Sequence, residues 1–203
     1  MKNEVNKIRF WTPLRLVITI AAFGLLAAFA VSSCNSNDPP SRTANRAARP
    51  TALSTLPRTI LDAENRAASG SAPIKIGDYS GKVLLVNLWA TWCGPCRMET
   101  PELVKIHKEY QSRGVEMIGL STEDPDASAQ SVSDFVRQYK VDYQIGWAKR
   151  EVAQMLMQGR TNIPQSFIIT RDGRIVQRFI GFNPDSTPTQ LKDALEKALR
   201  GEG

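Results

Sequence analysis

The sequence has almost no histidine and little cysteine: one His and three Cys among 203 residues. A structural zinc centre takes about four Cys or His ligands in close spacing. Cys93 and Cys96 supply half of that, Cys34 lies far upstream, and His107 stands alone on a helical stretch with no ligand role. The chain also lacks a glycine-rich phosphate loop and a Ser/His/Asp arrangement. Its one long apolar stretch, Leu16 to Val31, has sixteen residues, short of the roughly 20 that a membrane-spanning helix usually takes. Zinc chemistry and nucleotide-driven chemistry are therefore disfavoured by what is missing.

What is present is concentrated at Trp92-Cys93-Gly94-Pro95-Cys96. Directly before it, Val83 to Trp89 is a breaker-free apolar run that reads as a buried strand. Directly after it, Leu103, Ile106 and Tyr110 recur at helical spacing. Two cysteines three positions apart, where a strand feeds a helix, are placed for dithiol–disulfide chemistry. The thiolate is the attacking species, and the positive end of a helix dipole stabilises it. That predicts Cys93, at the leading edge, as the attacking thiol and Cys96, one turn inside, as the resolving one. Gly94 keeps bulk away from the incoming partner, and Pro95 suits a first-turn position that needs no N–H. A purely structural bridge is the weaker reading, because so short a loop constrains little of the unfolded chain.

The segment Leu88-Trp89-Ala90-Thr91-Trp92-Cys93-Gly94-Pro95-Cys96 resembles the active-site segment of the thioredoxin superfamily. More narrowly, it resembles the membrane-anchored TlpA/ResA-type proteins that face the outside of the bacterial inner membrane. The resemblance runs from about Thr59 to Arg200. It implies an α/β thioredoxin-like fold: a mixed central sheet flanked by helices, with an N-terminal hairpin and a central strand/helix insertion. The hairpin is expected at Thr59–Leu61 and Ile74–Ile76, and the insertion at Asp142–Trp147 and Lys149–Gln158. Pro101 matches the superfamily's kink-forming proline. Asn87 departs from thioredoxins proper, which carry a buried Asp there as proton acceptor. In ResA-type relatives a carboxylate from the loop after the next strand takes that place, which here means Glu123 or Asp124. Asp124-Pro125 also reads as a helix N-cap and N1 pair, so its acidity has a simpler use.

Thr161-Asn162-Ile163-Pro164-Gln165-Ser166 resembles the superfamily's cis-proline loop. The resemblance places Pro164 beside the dithiol, where the backbone of Ile163 pairs with an extended substrate segment. Gly181 matches a glycine at the same site, where a side chain would block the substrate. The remaining signals are ordinary ones. Asp126–Lys140 reads as a helix with Val132, Phe135, Val136 and Tyr139 on one face. Val152, Met155 and Leu156 face inward from the insertion helix, with Met155 and Met157 serving as core or as a partner surface. Arg171–Arg174 is a hairpin turn, and Thr187-Pro188-Thr189-Gln190 has the form of a capping box.

Before the domain, Lys2, Lys7, Arg9 and Arg15 precede Leu16–Val31, a basic flank before an apolar run that reads as an export signal or anchor. Val31-Ser32-Ser33-Cys34 resembles a bacterial lipobox, which makes Cys34 the lipidated residue. An uncleaved anchor and cleavage to a soluble protein are the alternatives, and all three export the domain. Residues 35–58 are polar and proline-punctuated, a flexible tether. The expected organisation is therefore 1–34 signal or anchor, 35–58 tether and 59–203 domain. The net charge of +6 sits mostly in residues 1–71, with nine Lys or Arg against four Asp or Glu. It is no argument for nucleic-acid binding.

Together these features imply an exported, membrane-tethered thiol–disulfide oxidoreductase that carries its own redox centre and needs no further cofactor. Resemblance implies protein disulfides as substrates, among them apocytochrome c or copper-site proteins, and a membrane electron donor. A thioredoxin-like binding module without turnover and a thiol peroxidase are the rival readings.

Overall fold

The structure is a computed structural model that describes residues 54–202. Leu16–Val31, Cys34 and most of the expected tether lie outside the described residues. Among the described residues, no helix is long and apolar enough to cross a membrane.

The central strand is β3, Val83–Trp89, buried at all seven positions. Such a run tolerates no solvent on either face, so both faces have to be covered. Its neighbours are β4 (Val115–Ser121), parallel, and β6 (Gln165–Ile169), antiparallel. Parallel neighbours need a crossover, and the helix α2 (Gly94–Tyr110) supplies it between β3 and β4. A second helix, α3 (Pro125–Tyr139), does the same between β4 and the parallel β5, Gln144–Trp147. After α4 (Arg150–Met157), the chain enters β6 and turns at Gly173 into the antiparallel β7, Arg174–Ile180. The last helix is α5, Thr187–Leu199. Two short strands close the edges: β1 (Ser54–Thr55) on β7 and β2 (Arg66–Ala67) on β5. The sheet order is β1-β7-β6-β3-β4-β5-β2.

Alternation along β3 sends Val83, Leu85 and Trp89 to one face, where Leu103, Phe135 and Leu191 of α2, α3 and α5 cover them. Leu84, Val86 and Leu88 go to the other, against Ile60 of α1 (Arg58–Leu61) and Val152 and Leu156 of α4. The expected mixed sheet between helices, with the strand/helix insertion, is therefore present.

Four local expectations are corrected. The N-terminal hairpin does not form. Thr59–Leu61 belongs to α1, which seats Ile60 in the core, and Ile74 makes only a single bridge to Asn65 before a 3-10 turn, Ile76–Tyr79. The fold also starts before residue 59, since β1 pairs with β7 and Leu56 is buried. Met155 is 40% exposed, while Met157 packs on the core. The buried stripe of this eight-residue helix is Val152 and Leu156. At α5 the N-cap is Ser186. The Thr187 hydroxyl instead accepts the Asn183 N–H at 3.0 Å, so no capping box is made.

Gly146 shows how tightly the β5 edge is closed. A Cβ there would run into the Arg66 carbonyl oxygen of β2. Gly146→Ala is expected to lower stability by about 1–3 kcal/mol through this overpacking, read as a drop in the urea midpoint with an unchanged m-value.

Candidate active site

The end of β3 delivers the chain through Ala90–Trp92 to the first turn of α2. Cys93 is the N-cap of that helix, and its Sγ accepts the Cys96 N–H at 3.2 Å. The orphan donors of a helix start and the aligned peptide dipoles therefore converge on this sulfur. Cys93 and Cys96 are joined as a disulfide with Cα atoms 5.2 Å apart. Both sulfurs are largely enclosed, and the way in lies past Trp92, which is 69% exposed, and Gly94, where an added Cβ would meet nothing. Pro95 falls in the first turn, where no N–H is required.

The Ile163–Pro164 peptide bond is cis, as the resemblance implies. The Ile163 carbonyl oxygen stands 3.7 Å from Cys93 Sγ, so the loop before β6 forms the opposite lip of the site. Gly181 donates its N–H to the Pro164 carbonyl at 2.8 Å and has φ 75°. The left-handed backbone requires glycine there, and a side chain would extend into open space beside Pro164.

Glu123 and Asp124 are separated by what they hold. Asp124 Oδ1 accepts the N–H groups of Asp126 and Ala127, the helix cap of α3. Glu123 accepts the Thr91 N–H at 2.8 Å, the Thr91 hydroxyl at 2.7 Å and the Ser121 hydroxyl at 3.0 Å. From the other side, Arg97 Nε donates to the Thr91 carbonyl at 2.9 Å. Thr91, two residues before Cys93, is thus clamped by a carboxylate and a guanidinium. His107 is buried, and its Nδ1 pairs with Asp142 at 3.0 Å.

One acid of the site went unread in the sequence. Glu99 is 1% exposed, one turn beyond Cys96 on α2. Asn87 Nδ2 donates to Oε2 at 2.9 Å, and Ser166 Oγ donates to Oε1 at 3.1 Å. Asn87 also donates to Ser166 at 3.0 Å. Burial pushes the carboxyl up to about 7, against the pull of these two hydrogen bonds. The available signal was positional. Cys96, Glu99, Leu103, Ile106 and Tyr110 share the inward stripe of α2, so Glu99 stands where an apolar residue is expected.

Residues 44–195 match the Redoxin family model. The chain is 33% identical over 125 residues to the thiol-disulfide oxidoreductase ResA of Bacillus thuringiensis subsp. konkukian, covering 61% of this chain and 68% of that one. This chain belongs to the Redoxin family, as a ResA-type thiol–disulfide oxidoreductase. ResA of Bacillus subtilis is similar at 28% over 130 residues, covering 64% of this chain and 68% of its own. Among solved structures, a thioredoxin-family thiol:disulfide interchange protein from Chlorobium tepidum superposes with a TM-score of 0.59 at 26% identity, over 68% of this chain and 92% of that one. The expected superfamily, fold and enzyme class are therefore established for this ResA-type protein.

The buried acid sets a pH dependence. Glu99 moves from 4.5 in the unfolded chain to about 7 in the fold. Between those values the folded protein binds more protons than the unfolded chain, so this group makes stability fall as pH rises through the window. The fall is at most on the order of 3 kcal/mol, complete above the folded value. Glu99→Gln in the oxidised protein is expected to remove most of it. Urea unfolding at pH 5 and pH 8 measures the difference, and an unchanged slope between the two would overturn the assignment.

Proposed function

We propose that this ResA-type protein is an exported, membrane-tethered reductase of protein disulfides. The observation that carries it is Cys93 at the N-cap of α2, its sulfur facing the first-turn N–H of Cys96 while the cis-Pro164 lip closes the other side. In the reduced protein, the Cys93 thiolate attacks one sulfur of a substrate disulfide and the second substrate sulfur leaves as a thiolate. Cys96 then attacks Cys93 Sγ, the mixed disulfide breaks, and the substrate departs with two thiols while Cys93–Cys96 is left oxidised. Two electrons and two protons pass to the substrate.

Glu99 is the group suited to take the Cys96 proton, because it lies one turn away and changes protonation near neutral pH. Glu123 fits better as a clamp on Thr91, and Asp124 as a cap. Trp92, Gly94, Pro95, Ile163, Pro164 and Gly181 frame the substrate, whose extended backbone pairs with Ile163. Export rests on the basic flank and apolar run of residues 1–34, and the tether on lipidation of Cys34 or on that run as an anchor. Regeneration then falls to a membrane electron donor. Apocytochrome c or copper-site proteins are the substrates this reading assigns.

Equilibration of the protein in glutathione or dithiothreitol buffers tests the direction of flow. A reduction potential at or below about −250 mV supports the reductase, and one near about −120 mV makes the protein a disulfide donor instead.

A further inference from the structure

Ser166 joins the cis-proline lip to the buried acid. It follows cis-Pro164 by two residues on β6 and lies opposite Asn87 in the β3–β6 register. Ser166, Asn87 and Glu99 are all buried and bond in a closed triangle. The Asn87 amide gives one N–H to Glu99 Oε2 at 2.9 Å and the other to Ser166 Oγ at 3.0 Å. The Ser166 hydroxyl hydrogen is thereby directed at Glu99 Oε1, 3.1 Å away.

The two carboxyl oxygens are therefore not equivalent. Oε2 faces an amide nitrogen, which donates and cannot accept, so a proton on Oε2 meets another hydrogen. Oε1 faces a hydroxyl, which can do either. A proton on Oε1 is accommodated when that hydroxyl turns and accepts it, while still accepting from Asn87. Burial favours the neutral acid and the two donors favour the carboxylate, and of the two donors Ser166 alone can reverse its role.

The surrounding charges leave this triangle to itself. On α2, Cys96 lies one turn back and Arg97 turns to the Thr91 carbonyl. Tyr143, before β5, is buried and stays protonated, its phenol pushed up by burial and then by the charge of Glu99. Two turns on, His107 pairs with Asp142. From β4, Glu116 meets Lys82, and beyond it Glu123 holds Thr91. From α5, Glu196 meets Tyr110 and Arg113, and Lys192 meets Glu109, at the far end of α2. On this face α3 contributes Val132 and Phe135.

We infer that Ser166 is the positioning residue of the proton step: by turning its hydroxyl from donor to acceptor, it lets Glu99 hold the Cys96 proton on Oε1. The inference rests on the reductase reading and on Glu99 as its proton acceptor. From the mixed disulfide of Cys93 with substrate, the Cys96 thiol gives its proton to Oε1. The Cys96 thiolate attacks Cys93 Sγ, the bond from Cys93 to the substrate sulfur breaks, and that sulfur leaves as a thiolate and takes a proton from water. When a dithiol donor later reduces the Cys93–Cys96 bond, its thiolate attacks Cys93, Cys96 leaves with the electron pair, and Glu99 returns the proton to it.

The test mixes the reduced full chain with an excess of the symmetrical disulfide of a one-cysteine peptide, from pH 5 to pH 9. Acid quenching and mass analysis separate the Cys93 mixed disulfide from the oxidised protein, so the readout is the decay rate of the mixed disulfide against pH. Ser166→Ala removes a donor that favours the carboxylate. The midpoint of the profile is therefore expected to move up by roughly one pH unit, a tenfold change in proton affinity, with the plateau at high pH retained. Ser166→Thr, which keeps the hydroxyl, should bring the midpoint back. In a Glu99→Gln background, Ser166→Ala should move nothing.

An unmoved midpoint in Ser166→Ala, a lowered plateau without a shift, or the same shift in the Glu99→Gln background would overturn the inference. If the peptide disulfide neither forms the mixed disulfide nor oxidises the protein, the reductase reading itself falls. The two failures are thus distinguishable.

Discussion

The burial of β3 on both faces is the constraint from which the reactive end of the molecule follows. Each Val or Leu in the strand contributes about 1.5–3 kcal/mol by leaving water, and both strand edges are paired along nearly their whole length. The strand therefore cannot slide, and its C-terminal end is a fixed point. The Thr122 N–H donates to the Trp89 carbonyl at 2.9 Å, and Glu123 takes the Thr91 N–H, so the neighbouring strand holds the exit of β3 as well. Cys93 becomes an N-cap because the chain leaves a rigid strand and enters a helix within four residues. The sulfur's position is a consequence of core packing at Trp89, four residues away.

Asn87 is the polar exception in that strand, and it and Glu99 are best understood together. A buried amide keeps two N–H groups satisfied by giving one to Glu99 and sharing with Ser166. It cannot ionise, so the core beside the dithiol holds one titrating acid instead of two. A carboxylate at position 87 would face Glu99 across a single hydrogen bond, and two such acids titrate as a pair with one proton retained. With the amide, desolvation and hydrogen bonding oppose each other on one group alone, and they leave it near neutral pH. Ser166 extends the same network to the strand that follows cis-Pro164, so helix, central strand and proline loop meet at a single carboxyl.

Much of this was legible in the sequence because it is local. The run Val83–Trp89, the Cys93–Cys96 spacing, Pro164 before a strand and the Asp172-Gly173 turn each state their structure within a few residues, and the fold places all of them as read. What was not legible depends on packing between distant segments. Glu99 looks like any surface glutamate of a helix until the stripe it shares with Leu103 is known to face β3. Thr59-Ile60-Leu61 has strand composition, yet Pro57 and the pocket for Ile60 make it one helical turn. Met155 has a core residue's chemistry and a surface position, because α4 is too short to bury a second row.

The two acids near the dithiol are told apart by their donors. Glu123 receives three hydrogen bonds, two of them from Thr91, and any change in its bonding releases the loop that leads into Cys93. Glu99 receives two donors, neither from the Cys93 loop, and is dry enough that its charged and neutral forms are close in energy. It can take or lose a proton while Thr91, Cys93 and Ile163 stay in place. The carboxylate that anchors the loop before Cys93 is thus a different residue from the buried one beside Cys96.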